Sequence, residues 1–345
     1  MATVDVTIRG AGISGLSTAW ACLKAGARVR LIDPNGVGTG ASGGIVGALA
    51  PHVPEQWNPK KAFQFESLLM SEQWWAEVDA AGGQSSGYGR TGRIQPVPEG
   101  GEAMALSRAT GAHTLWQGRA TWSVIDTPPR FAPHSPTGRW IHDTLTARVH
   151  PAQACAALGA AIRARGGDMT QDESTPDEGT VVHATGYLGL ETLTAAHTRM
   201  VGAGIKGQAV LLDHDARDQP QVFVDGLHII PHADGTTAIG STTEREFESP
   251  TDTDAQCDTL LARARDMVPA LTDASEIRRW AGLRPRARTR APMLGPHPFI
   301  NGHFIANGGF KIGFGMAPLC AERLATLILT GQDNIPPEFA PSASL

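Results

Sequence analysis

Apolar positions at the start of the chain fall first in a short β-branched run and then at helical spacing. Residues 4–8, Val-Asp-Val-Thr-Ile, have the composition of a strand, whereas residues 16–24 lack proline and glycine and read as a helix. Ala25-Gly26-Ala27 stops that helix, and residues 29–32 form a second strand that runs into Asp33. Residues 61–80 predict a core helix, with Phe65, Leu68, Leu69, Trp74, Trp75 and Val78 as its apolar stripe.

The pattern then changes. Residues 82–137 are rich in glycine, proline and short polar stretches, and strand-like pieces at 92–97 and 121–125 predict an antiparallel region. Pro151 suits a first helical turn; a helix is expected over 152–165 before Gly166-Gly167, and a strand over 180–184 ends at Thr185-Gly186. Short runs at 209–212, 222–224, 227–230 and 237–239, separated by turn residues, signal a return to the antiparallel region. A helix over 254–268, a strand over 302–306 and a helix from Pro318 to Leu329 complete the pattern. The expected fold is α/β: a Rossmann-type dinucleotide-binding domain with a parallel sheet, plus an interleaved α+β substrate domain with a mainly antiparallel sheet. The first takes residues 1–50, 145–200 and 286–345, and the second takes 51–144 and 201–285.

Chemistry enters with the glycines between the first strand and helix. In Gly10-Ala11-Gly12-Ile13-Ser14-Gly15 the first glycine allows a tight turn, the second lets backbone approach a pyrophosphate, and the third lets helix pack closely on strand. Asp33 follows roughly twenty residues on, where a ribose hydroxyl is bound, with Pro34 beside it. A second glycine-rich loop over 36–44 exposes backbone N–H groups suited to a long, phosphate-containing cofactor, and the apolar run 45–50 predicts that this segment is buried. Gly186 stands at the carboxyl edge of a strand, the side on which open α/β sheets bind ligands.

Composition narrows the partners. With a net charge of −5 and no long Lys/Arg block, the chain is not expected to use a nucleic acid or an anionic membrane as its main partner, so a small substrate is expected. Cys22, Cys155, Cys257 and Cys320 are far apart and form no Cys-x-x-Cys pair, which predicts a reducing compartment and neither a zinc site nor a dithiol motif. No apolar stretch is long enough to span a bilayer, and the first strand begins too near Met1 for a signal peptide to precede it. A cytoplasmic protein is the expectation.

An ordered set of motifs carries a family resemblance: the first fingerprint, Gly40-Ala41-Ser42-Gly43, Ala184-Thr185-Gly186, Lys206-Gly207-Gln208, Gly282-Leu283-Arg284-Pro285 and residues 308–318. Together they resemble the D-amino-acid oxidase and glycine oxidase family of flavoenzymes over nearly the whole chain. The resemblance implies FAD, with residues 10–15 around its pyrophosphate, Asp33 on the adenosine ribose and Gly186 near the adenine. Ala41, Ser42, Gly47, Ala48 and Leu49 would lie along the chain leading to the ring. Gly309, Phe310, Lys311, Ile312, Gly313 and Phe314 would bring backbone N–H groups to the pyrimidine edge, and a helix starting near Pro318 would point its positive end there. Arg284 matches the position that binds the substrate carboxylate, for which a planar guanidinium is suited. His228 falls where glycine oxidases carry a tyrosine, and Lys311-Ile312 replaces their arginine and asparagine. His52 is a candidate facing the flavin, and Trp57, Trp280 and Phe310 are candidate walls. Arg286, Arg288 and Arg290 read as a solvated loop.

The implied activity is oxidation of the C–N bond of a small amino acid or secondary amine such as glycine, sarcosine or a D-amino acid. Hydride would pass to flavin, the imine would hydrolyse, and oxygen or another acceptor would take the electrons. Two alternatives stay open. Gly40-Ala41-Ser42-Gly43 with Gly47-Ala48-Leu49 and Pro51 also resembles the oxidase domain of a bifunctional tRNA-modifying enzyme, and a nucleotide-binding sensor without turnover uses the same first motif.

Overall fold

The computed structural model describes residues 4–345; the first three residues of the expected nucleotide-binding segment lie outside the described residues. β1 (Val6–Arg9), α1 (Ile13–Lys24) and β2 (Val29–Ile32) form the opening unit. β1 pairs in parallel with β2 on one side and with β9 (Thr180–His183) on the other. The sheet extends through β8 (Asp168–Thr170) beyond β2 and through β16 (His303–Asn307) beyond β9, both parallel, and β15 (Met293–Pro296) closes it as an antiparallel edge.

Close packing at the first turn depends on two glycines. A Cβ on Gly10, whose φ is +110°, would stand 2.3 Å from the Ala184 carbonyl oxygen, and one on Gly15 would stand 1.9 Å from the Gly10 oxygen. Helix α1 therefore lies against the turn more tightly than any other residue type permits. Around it pack α4 (Pro151–Ala164) and α7 (Gly313–Thr330), and α2 (Pro59–Gly82) lies against both. Trp20, Trp74 and Trp75 are buried among these helices.

The second sheet has eight strands. Its order is β14 (Ser275–Ala287), β10 (Gly202–Asp213), β13 (Thr236–Gly240), β12 (Leu227–Pro231), β11 (Gln221–Val224), β4 (Arg93–Pro96), β6 (Trp140–Asp143) and β5 (Trp122–Ile125). All neighbours are antiparallel except β11 and β4. Side chains alternate across this sheet. Ile94, Val210, Leu212, Val222, Ile229 and Ile239 point to one face and form a core with Leu260, Leu261 and Ala264 of α6 (Gln256–Met267). Arg93, Ala209, Phe223, His228, Trp280 and Arg284 point to the other. β3 (Ala48–Leu49) and β7 (Ala147–Arg148) make a small ribbon, placing the 45–50 segment inside the molecule as its apolar run predicts.

Four elements depart from the sequence expectation. α3 (Glu102–Leu115) stands within the stretch read as antiparallel; only Ala105 and Ala112 of it are buried, so no broad apolar stripe announces it. α5 (Gly186–Ala195) follows β9 directly and is hidden by its glycines at 186 and 189. β14 runs for 13 residues through the expected 285/286 junction, and its exposed first half removes the alternating signal. Arg286 therefore lies on a strand rather than in a loop, with its guanidinium 5.8 Å from the Phe310 ring. α7 begins at Gly313 and contains Pro318 in its interior, where the expectation placed its start. Gly313 and Gly315 imitate a loop.

Replacing Gly15 with alanine is expected to cost about 3 kcal/mol of stability, because the clash is with backbone that cannot yield. Gly26→Ala, at a φ of +88° but with no atom within 4 Å, is expected to cost roughly 1 kcal/mol. Chemical denaturation of both variants checks the order.

Candidate active site

A cavity of about 1150 Å³ runs from the first glycine turn to the inner face of the eight-stranded sheet. At one end it is lined by Gly10, Gly12, Ile13 and Ser14, by Asp33 and Pro34, and by Gly186. Along its length lie Ala41, Ser42, Gly47, Ala48 and Leu49, and at the far end Gly309, Phe310, Lys311, Ile312, Gly313 and Phe314. Arg284, His228 and His52 line the same space, as do Trp280 and Phe310. Ala11 and Gly15 do not. The Ala11 N–H donates to Asp33 Oδ2 at 2.7 Å, and Gly15 serves the turn packing described above. Trp57 packs edge-on against Phe65 and is not part of the wall.

Each end has its own electrostatics. Asp33 accepts the Ala11 and Asn35 backbone N–H groups, which orient its carboxylate. Ser42 accepts the Ile13 N–H at the start of α1, joining the second glycine loop to the first. At the far end, α7 begins at the cavity wall, so its positive N-terminal end faces the space five residues sooner than a start at Pro318 would bring it.

Arg284 is held on three sides. Its Nη1 donates to Ser241 Oγ at 2.6 Å, and its Nη2 donates to the Thr242 carbonyl at 2.6 Å and the Lys206 carbonyl at 3.3 Å. Phe310 lies 5.7 Å from the guanidinium. Gly207, diagonally opposite on β10 where it pairs with Gly282, has no room for a side chain: a Cβ there would lie 2.2 Å from Nη2 and 2.3 Å from Cζ of Arg284. The middle residue of Lys206-Gly207-Gln208 is thus the floor beneath the guanidinium. Burial lowers the Arg284 pKa to about 10, with Glu244 opposing the shift, so the group stays cationic at neutral pH.

The neighbouring titratable groups are weakened as cations. Burial, then Arg93 and Lys311, push the His228 pKa down to about 3, so it stands as a neutral imidazole whose ring lies 4.7 Å from that of Phe223, tilted by 43°. His52 is lowered mainly by burial, and Gln64 Oε1 accepts its backbone N–H while facing its Nδ1 at 2.5 Å. Lys311 is open to solvent through the cavity, yet the surrounding walls and then Arg284 hold its pKa below the ordinary lysine value; its Nζ donates to Thr243 Oγ1 at 2.8 Å.

Two cavity residues escaped the sequence reading. Asn307, nearly buried, donates from Nδ2 to the Gly186 carbonyl and so ties β16 to the start of α5. Arg93 is 5% exposed and donates from Nε to the fully buried Asp143 at 3.0 Å. Its inward parity on a strand next to apolar Ile94 was the available signal. Among the described residues no helix is long and apolar enough to cross a membrane, and no group of His, Cys, Asp and Glu is placed to hold a metal ion.

Comparison with known proteins places the chain in a family. The family model described as FAD dependent oxidoreductase matches residues 5–327. A glycine oxidase of Bacillus licheniformis is 25% identical over 94% of this chain and 93% of its own length. A glycine oxidase of Pseudomonas aeruginosa is 33% identical, but that match spans less than half of either protein, 48% of this chain and 46% of the relative. The solved iminodiacetate oxidase from Chelativorans sp. BNC1 has a TM-score of 0.84 at 20% identity, covering 97% of this chain and 98% of that one. Glycine oxidase from Geobacillus kaustophilus has a TM-score of 0.83 at 22% identity, covering 99% and 98%; at such identities these structures speak for the fold. With the family match spanning the fingerprint, both sheets and most of α7, the chain belongs to the DAO family of FAD-dependent oxidoreductases.

Proposed function

We propose that the protein oxidises the C–N bond of a small amino acid or secondary amine of the glycine, sarcosine or D-amino-acid type, with Arg284 holding the substrate carboxylate. The observation that carries this reading is a half-buried, pre-positioned guanidinium on the wall of the cavity that begins at the glycine turn. The proposed domain partition accompanies it, residues 1–50, 145–200 and 286–345 for FAD and 51–144 with 201–285 for substrate.

The residues fit the cofactor. Gly12 puts no side chain between the first turn of α1 and the cavity, leaving that end to a pyrophosphate. Asp33 keeps lone pairs beyond the two it gives to backbone N–H groups, enough for a ribose hydroxyl. Ala11 and Gly15 contribute by shaping the turn. The start of α7, with residues 309–314, favours negative charge at the other end. When bound, FAD supplies the two-electron acceptor for oxidation of an amine to an imine.

The protein's part is placement. Of the five N–H donors on Arg284, Nε–H and one Nη1–H make no bond among the described residues, and the long contact to the Lys206 carbonyl is the weakest of the three described. Releasing that contact frees Nη2 beside Nη1 for a two-point grip on a carboxylate. Neutral His228 accepts or donates a hydrogen bond without repelling the amine. Trp280 and Phe310 exclude water from the space between the sheet and α7. The imine is released to hydrolyse in water.

Three outcomes test this reading. Purified holoprotein is expected to be yellow and to lose its flavin absorbance anaerobically on mixing with at least one of glycine, sarcosine and D-alanine; a spectrum unmoved by all carboxylate-bearing amines would sink the proposal. Arg284→Ala is expected to raise KM by about 10- to 150-fold, the value of one or two hydrogen bonds to a charged group. Gly207→Ala displaces only the far end of a flexible side chain, so melting is expected to stay near the parent value while KM for the amine rises; steady-state kinetics beside thermal denaturation checks this.

A further inference from the structure

Arg93 is a further cation on the cavity wall, beside Arg284 and Lys311, that binding a single carboxylate leaves unused. The register places it there: Gln221 pairs with Arg93 and Phe223 with His228, so residues 93, 223 and 228 share the inward face. Its guanidinium is built in rather than mobile. Nε is bound to Asp143, which also accepts the Thr146 N–H, and the Phe223 and Trp122 rings lie 5.7 and 6.0 Å from Cζ. Among the described residues the two terminal nitrogens of Arg93 make no hydrogen bond, although the side chain is 6% exposed and borders the cavity. The acids on the cavity wall, Asp33 and Glu173, belong to the nucleotide end. Among the described residues, the substrate end therefore offers Arg284, Lys311 and Arg93 with no carboxylate lining the space between them.

We infer that Arg93 is a second anion-binding point, and that the substrate class is an amine bearing two carboxylates, one held by Arg284 and the other by the terminal nitrogens of Arg93. The inference rests on the amine-oxidation reading above. The two arginines stand on β14 and β4, five strand intervals apart, which is about 24 Å between backbones before both long side chains reach inward. The second carboxylate is thus carried on an extended chain, several bonds from the amine.

The test compares N-(ω-carboxyalkyl)glycines of increasing chain length with N-alkylglycines of matched length, by anaerobic flavin reduction in the holoprotein. Calorimetric titration with non-oxidisable α,ω-dicarboxylates and matched monocarboxylates runs beside it and needs no turnover. Because Arg93→Gln alone strands the buried Asp143 charge, the variant measured is Arg93→Gln with Asp143→Asn, and Asp143→Asn alone keeps the guanidinium as control. At one chain length the terminal carboxylate is expected to tighten binding at least tenfold in the parent and in Asp143→Asn, and the preference is expected to vanish in the double variant. A ratio near one at every length in the parent, or a preference that survives in the double variant, overturns the inference. Should no amine reduce the flavin, the oxidase reading falls, and the calorimetric ratio still decides the role of Arg93.

Discussion

Because β10 and β14 pair from Gly202 against Ala287 to Asp213 against Ser275, Gly207 falls opposite Gly282 and leaves a strip of bare backbone beside Arg284. That missing Cβ is the constraint on which the substrate end depends. It lets the guanidinium lie flat on the sheet, where the Thr242 and Lys206 carbonyls and the Ser241 hydroxyl reach it. The same period of two sends Val210, Leu212 and Ile229 into the α6 core and turns Ala209, Phe223, His228 and Arg93 toward the cavity. One sheet thus serves as core on one face and as binding wall on the other, and a single-residue slip would exchange the two.

Burial divides the cationic groups by type. An imidazole in this wall gives up its proton, as the fall of His228 to about 3 shows, whereas an arginine lowered to about 10 keeps its charge. Lys311 is lowered too, by its surroundings and then by Arg284. Guanidinium is the cation that survives desolvation at neutral pH, which accounts physically for arginine, rather than lysine or histidine, as the charged group in this part of the wall.

Much of the nucleotide end was legible in the chain because it is local. Glycines 10, 12 and 15, the strand before them and Asp33 lie within one βαβ unit whose requirements are written in consecutive residues. The substrate end is assembled from β4, β12, β13 and β14, and only the family resemblance pointed to Arg284. Arg93 was overlooked because its importance comes from pairing with Asp143, 50 positions away. β14 was hidden by its exposed arginines, and the start of α7 by two glycines that commonly mark loops. Those glycines sit where the helix end must approach the cavity, so local propensity yields there to the shape of the site.

The glycine turn and Arg284 share one cavity, and FAD extended along it would bring its reactive ring under the face that carries Arg284. A crystal structure of the holoprotein decides this placement. Density is expected for the pyrophosphate against residues 10–14, for the ribose at Asp33, and for the ring between residues 44–49 and 309–314 with Arg284 across from it. Density placing the ring outside this cavity, or away from the face of Arg284, would contradict it.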